Sequence, residues 1–253
     1  MRNSDKWRPS KYVYKGEKLI ASRDAAEVGI ASRLISDRIA ASYDKYIKLY
    51  ATGNLIDLGC GKAPLFLAYR DYVSSNTCVD WGNSAHDSAY LDLQCDLAAT
   101  LPFHDQEFDT IILSDVLEHV PQPEHLWREM ARILSDGGRV LMSAPFYYWL
   151  HEQPHDYYRY TRFALSRFAE ASGFRVIVLE PLGGVPEILT DITAKTLMYI
   201  PKVGKIFSAS VQRFAGLMLK TQLIKNISHA TSGNFPLGYF LVAEKCPQPK
   251  HEQ

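Results

Sequence analysis

Apolar positions along this 253-residue chain follow two rhythms. Short unbroken runs at LIDL (55–58), TCVD (77–80), TIIL (110–113), RVLMSA (139–144) and RVIVL (175–179) suit strands buried on both faces of a parallel sheet. A weaker run, YLDLQ (90–94), and a last one, GYFLVAEK (238–245), extend the set. Between them, apolar residues recur at three- and four-residue steps. This predicts a helix over PEHLWREMARIL (123–134), closed by Asp136-Gly137-Gly138, and another over TRFALSRFAEAS (161–172), from a Thr161 cap to a stop at Gly173. Upstream, Val28, Ala31, Ile35 and Ile39, continued by Tyr43, Tyr46, Ile47 and Tyr50, predict one helix from about Leu19 to Tyr50. Residues 1–18 read as an extended arm. From Pro186 to about Thr231 the strand–helix rhythm gives way to two or three helices.

This alternation implies an α/β fold: a Rossmann-like, doubly wound, mostly parallel seven-stranded sheet with helices on both faces. The chain divides into an N-terminal arm and helix (1–50) on the substrate side or acting as a lid, a core (51–185), a helical insert (186–232), and a last strand with its tail (233–253). Hydrophobic residues make up 47% and charged residues 22%, enough apolar material for a sizeable core. The 28 basic and 28 acidic residues balance, so no overall field gathers nucleic acid and no nucleic-acid partner is expected. The cysteines, Cys60, Cys78, Cys95 and Cys246, form no CxxC pair or Cys/His cluster, so no metal is expected. The start is polar and no run of about 18 apolar residues occurs, which fits a cytoplasmic protein.

The stretch LIDLGCGKAP (55–64) carries the most chemistry. A strand entering a glycine turn and then a helix brings backbone N–H groups against a ligand, as in both dinucleotide and S-adenosylmethionine sites. Two details separate these. Asp57, two residues before Gly59, would repel a pyrophosphate but can hold a cationic ammonium. A GxGxxG loop would also need glycine at 64, where Pro64 stands.

LIDLGCGKAP, followed in order by VDW, DLAATLPF, EFDTIILSDVLEHV and ILSDGGRVLMSAPF, resembles the class I S-adenosylmethionine-dependent methyltransferases, and within them the type-11 methyltransferase domain. The resemblance spans about Leu55 to Phe174. It implies a core that binds S-adenosyl-L-methionine through Asp57, Gly59 and Gly61. Further contacts follow by position: Asp80 on the ribose hydroxyls, Trp81 against the adenine face, Asp96 and the Leu97 backbone N–H on the adenine edge, and Ser114 where cofactor meets substrate. One position departs from the pattern. Ala63 stands where the family usually has a third glycine, and alanine is less free to adopt a positive φ.

The acceptor's chemistry is carried by two loops rich in ionisable groups. In SDVLEHVPQP (114–123), Asp115 and Glu118 read as a capping pair, with His119 as a candidate to face substrate. The loop FYYWLHEQPHDYYRYT (146–161) holds His151, His155, Asp156 and Arg159 among aromatics. Here His155 is the expected general base, with His119 and Asp156 as further catalytic candidates. The i,i+4 spacing of His151 and His155 crosses Pro154, which argues against a helical metal-ligand pair.

HEQPHDYYRYT and FPLGYFLVAEK are also similar to loops of type-11 relatives from bacterial surface-glycan pathways. That likeness implies O-methylation of a sugar or glycan hydroxyl, with a small metabolite acceptor or a non-catalytic cofactor-binding subunit as the alternatives. From Ile192 through Ala243 the chain carries six basic residues (Lys195, Lys202, Lys205, Arg213, Lys220, Lys225) and no acidic one. A basic, apolar surface there suits peripheral contact with anionic lipid at the inner face of a membrane. Its alternatives are a substrate lid and a homodimer contact.

Overall fold

A computed structural model describes residues 1–82 and 89–247. Residues 248–253 of the expected tail lie outside the described residues. The chain opens with a hairpin, β1 (Tyr12–Lys15) and β2 (Lys18–Ala21), then α1 (Arg33–Tyr50). A Rossmann-like core follows: β3 (Asn54–Leu58), α2 (Phe66–Tyr69), β4 (Ser75–Asp80), β5 (Leu93–Gln94), β6 (Phe108–Ser114), α3 (Pro123–Ile133), β7 (Leu134–Pro145), α4 (Arg162–Ala171) and β8 (Phe174–Pro181). The helices α5 (Val185–Leu197), α6 (Gly204–Met218) and α7 (Gln222–Ser232) precede β9 (Gly238–Lys245).

The seven-stranded sheet runs β5-β4-β3-β6-β7-β9-β8. Pairings from β5 through β7 are parallel, while β9 lies antiparallel between β7 and β8. Side-chain alternation explains why both faces are covered. Leu55, Ile112, Leu141, Phe240 and Val242 point to a core shared with α1, α2 and α5, whereas Ile56, Ile111, Val140, Leu241 and Ala243 point to the core of α3 and α4. Strand order reverses beside β3, which pairs with β4 on one side and β6 on the other, so a crevice opens at the carboxyl ends of these three strands.

The N-terminal region differs from expectation. Helix begins at Arg33 rather than near Leu19, because Leu19 and Ala21 are buried with a period of two and pair with β1 across a turn at Gly16 (φ 62°). Thr161 caps α4 by accepting from the Ala164 N–H (3.2 Å), and Gly173 at φ 84° follows that helix. Among the described residues no helix is long and apolar enough to cross a membrane.

Candidate active site

A cavity of about 610 Å³ fills the crevice. It is lined on one side by Asp57, Gly59, Gly61, Asp80, Trp81, Asp96, Leu97 and Ser114, the complete set of expected cofactor contacts. Gly59 (φ 71°) and Gly61 (φ 52°) turn the chain out of β3, and a Cβ at Gly59 would meet Val116 at 2.5 Å. The loop is tied to β4: Gly59 and Cys60 N–H donate to the Val79 carbonyl (2.8 and 3.0 Å), and Gly61 N–H donates to Asp80 Oδ2 (2.9 Å). Ala63 takes φ 49°, the left-handed conformation its missing glycine would have eased, and its carbonyl accepts from Trp7 Nε1 (3.1 Å). The N-terminal arm therefore braces the turn from behind.

Asp57 is only 2% exposed. Burial pushes its carboxyl up to about 7; the Tyr69 hydroxyl, donating at 3.3 Å, opposes this and Asp80 adds to it. Among the described residues no cation pairs with this group, and an ammonium entering the cavity would supply one. Asp80 Oδ1 accepts from the Trp81 N–H (2.7 Å), which fixes the carboxylate at the rim. Asp96 folds into an Asx turn through Ala98 N–H (2.8 Å).

Beyond Ser114 the cavity continues toward Ser10, Lys11, Ser32, Asp115, Glu118, His119, Tyr148 and His151. Asp115 and Glu118 are not a capping pair. Asp115, at φ 54°, accepts from Ser143 Oγ (2.7 Å) and Lys11 Nζ (3.1 Å), joining β6, β7 and the N-terminal arm. Glu118 lies in a single 3-10 turn (Leu117–His119), fully buried, and neither carboxylate oxygen has a hydrogen-bond partner among the described residues. Burial and then the Asp115 charge push its carboxyl well above the usual range.

The histidines separate into two places. His151 and His119 pack ring against ring (4.7 Å), and both point Nε2 toward Glu118 Oε1 at 3.7 Å. Burial first, then His119, lowers the His151 pKa, so this imidazole is neutral near pH 7. His155 stands against Trp81 (4.9 Å, edge-on), its Nδ1 bonded to Tyr157 Oη (3.1 Å), on the side of the expected adenosyl contacts. Asp156 does not line the cavity. Two bonds from Arg159 (2.5 and 2.7 Å) and one from the His151 N–H (2.9 Å) outweigh its burial and pull its carboxyl down to about 2. It therefore stays ionised behind His151 rather than exchanging protons with substrate. Sequence reasoning did not single out Lys11, Ser32 or Tyr148 as cavity walls.

Residues 56–142 match the family described as a methyltransferase domain. Ubiquinone biosynthesis O-methyltransferase of Coxiella burnetii is 27% identical over 162 residues, covering 53% of this chain and 69% of that protein. This chain carries a methyltransferase domain of the S-adenosylmethionine-dependent kind. A second relative, an uncharacterised methyltransferase of Mycobacterium leprae, is 38% identical over 80 residues, 30% of this chain and 29% of its own length. Among solved structures, an S-adenosylmethionine-dependent methyltransferase from Mesorhizobium loti superposes with TM-score 0.50 at 16% identity, over 82% of the methyltransferase and 100% of that chain. The [4+2]-cyclase SpnF superposes with TM-score 0.53 at 19% identity, over 83% and 82% respectively. At such identities these two likenesses concern the fold alone.

Proposed function

We propose that this methyltransferase methylates a hydroxyl oxygen on a ring-shaped acceptor, with a glycan or sugar as the first reading. The observation that carries it is the second half of the cavity, where the neutral His151 imidazole, His119 and Glu118 meet beyond Ser114. Displacement at the sulfonium methyl needs alignment of acceptor oxygen, carbon and sulfur, and removal of the hydroxyl proton as the C–O bond forms. In this reading Asp57 holds the cofactor ammonium, Gly59 and Gly61 admit its backbone, Asp80 takes the ribose hydroxyls, and Asp96 with the Leu97 N–H takes the adenine edge. Trp81 and His155 then close over the nucleoside, and the His119–His151 pair draws off the acceptor proton. Asp156 and Arg159 are positioning residues for His151. The half-exposed Tyr147, Trp149, Tyr157 and Tyr158 around the loop offer faces suited to sugar rings.

A second reading, a phenolic ring bearing an apolar tail, is favoured by the relatives named for ubiquinone biosynthesis and by an open apolar groove of about 460 Å³ between α5, α6 and α7. Transfer of labelled methyl to panels of saccharides, phenols and amines separates these readings. Label appearing on oxygen acceptors supports hydroxyl chemistry, while label confined to amines rejects it. His151→Ala should lower kcat by about 10²–10⁴-fold with cofactor affinity unchanged, the usual range for loss of proton transfer. His155→Ala should act mainly on cofactor KM. Wild-type turnover in His151→Ala would remove the imidazole pair from the reaction.

A further inference from the structure

Three side-chain atoms of Glu118, His119 and His151 lie within 4.8 Å of one another at the wall of the acceptor cavity. Their hydrogen bonding is unusual in what it leaves over. His119 Nδ1 lies 2.9 Å from the His155 carbonyl, and His151 Nδ1 lies 3.3 Å from both the Asp156 carboxylate and the Trp149 carbonyl. These neighbours are acceptors only, so each Nδ1 carries the hydrogen in the neutral ring and each Nε2 presents a lone pair. Both lone pairs face Glu118 Oε1, whose carboxylate is wholly buried and has no hydrogen-bond donor among the described residues. His119 Nε2 is likewise buried without a partner. Three ligand atoms thus converge at the cavity wall with no hydrogen bond among them, an arrangement that a cation, or a proton held by Glu118, relieves.

We propose that Glu118, His119 and His151 form a divalent-metal site of the two-imidazole, one-carboxylate kind, open on one side to the acceptor cavity. The donor set selects a borderline transition ion such as Zn²⁺, Co²⁺ or Mn²⁺ over Mg²⁺ or Ca²⁺, which prefer all-oxygen sites. The two 3.7 Å separations to Glu118 need a small contraction and the imidazole pair, within 4.8 Å, a larger one, since bonds of about 2.0–2.2 Å in a tetrahedron set ligands about 3.4 Å apart. The outer shell is already built: Asp156 on His151 and the His155 carbonyl on His119 hold the tautomers that metal binding requires. Glu152 Oε2, 3.8 Å from His119 Nε2, stands close enough to add a ligand from the cavity side. The sequence gives no such expectation, because the three donors come from two loops 32 positions apart (119 to 151) and the i,i+4 pair His151/His155 is not the one that converges. An ion here would take up both Nε2 lone pairs and leave a coordination position facing the cavity, so a bound acceptor hydroxyl would be acidified by the ion in place of proton uptake by the His119–His151 pair.

Calorimetric titration of chelator-stripped full-length protein with Zn²⁺, Co²⁺, Mn²⁺ and Mg²⁺, in the absence of acceptor, tests this. One equivalent of Zn²⁺ or Co²⁺ should bind, with Mg²⁺ much weaker, and the Co²⁺ form should show the visible absorption of an imidazole-ligated site. His151→Ala, on the half-exposed loop, and Glu118→Gln should each weaken binding by at least about 100-fold, and Asp156→Asn by about 10–100-fold. No stoichiometric binding of any of these ions to the wild-type protein would overturn the proposal. Binding that survives all three substitutions would do the same. The readout involves no methyl acceptor, so a failure here leaves hydroxyl methylation standing, and a failed acceptor screen leaves the metal site standing.

Discussion

Asp57 owes its importance to where the chain puts it: near the end of β3, under a glycine turn, with Tyr69 as its one side-chain donor among the described residues. Raised from 3.8 to about 7 by burial, it keeps a proton in the ligand-free fold that the unfolded chain has already released between those values. Through that window the group's contribution to stability is therefore lost as pH rises. In the proposed reading the cofactor's ammonium would favour the ionised carboxylate, so that binding would expel the proton. Affinity should climb with pH up to about 7 and flatten above it, with roughly tenfold weaker binding at pH 6 than on the plateau. Calorimetry of S-adenosylhomocysteine at pH 6, 7 and 8 reads this directly. Asp57→Asn should flatten the profile and weaken binding by about 1.5–3 kcal/mol, the range for a charge-assisted hydrogen bond. A wild-type profile without slope would show that the carboxylate does not meet the ammonium. That Asp57, Gly59 and Gly61 come together at the cavity was legible in the sequence because strand, carboxylate and glycines are contiguous. The pairing of His151 with His119 was not, since it depends on how two loops cross.

At the scale of elements, a buried carboxylate ties the helical insert to the core alongside Gln212, which bonds Ala31 and Leu34. Glu187, on the first turn of α5, accepts from the Gly184 N–H (3.0 Å), from Ser228 Oγ on α7 (2.9 Å) and from Arg38 on α1 (2.8 Å). It is wholly buried, while Arg38 is 40% exposed, so removing the carboxylate strands the serine and backbone donors more than the guanidinium. Glu187→Ala should cost about 3 kcal/mol by chemical denaturation, with faster hydrogen exchange in α5 and α7 than in β6 or β7. Uniform loss of protection across the sheet would contradict a local fastening. The strands were readable because each apolar run is short and bounded, whereas the hairpin β1–β2 hid inside an apparent helical stripe. Val28, Ala31 and Ile35 do fall at helical spacing, but Leu19 and Ala21 obey a period of two, and only the Gly16 turn marks the change. Lys195 shows the same limit. It reads as part of a cationic surface, yet it is buried against Asp191 (2.6 Å), just outside the stretch that carries no acid.

For the whole molecule, the insert leaves a surface that its own chain does not cover. Val203, Ile206, Phe207, Phe214 and Leu217 repeat along one side of α6 and are exposed, with Leu189 and Ile192 of α5 and Leu223 of α7 nearby. Lys202, Lys205, Arg213, Lys220 and Lys225 are exposed among them. Apolar side chains flanked by cations, with no carboxylate from Ile192 to Ala243, suit the boundary of an anionic bilayer, at about 1 kcal/mol per basic residue near the surface. We therefore expect the protein to sediment with vesicles rich in phosphatidylglycerol and to stay in solution with pure phosphatidylcholine. Added salt should weaken the interaction by screening the charges. Phe214→Ser and Lys205→Glu should each reduce the bound fraction several-fold while leaving cofactor affinity intact, because neither residue lines the cofactor cavity. If instead the same substitutions convert a dimer into a monomer and vesicle binding is absent, the apolar face belongs to a second copy of the chain. Bound vesicles would place the acceptor cavity near lipid-borne hydroxyls, and raising the rate on a lipid-tailed acceptor above that on its water-soluble head group would follow from that placement.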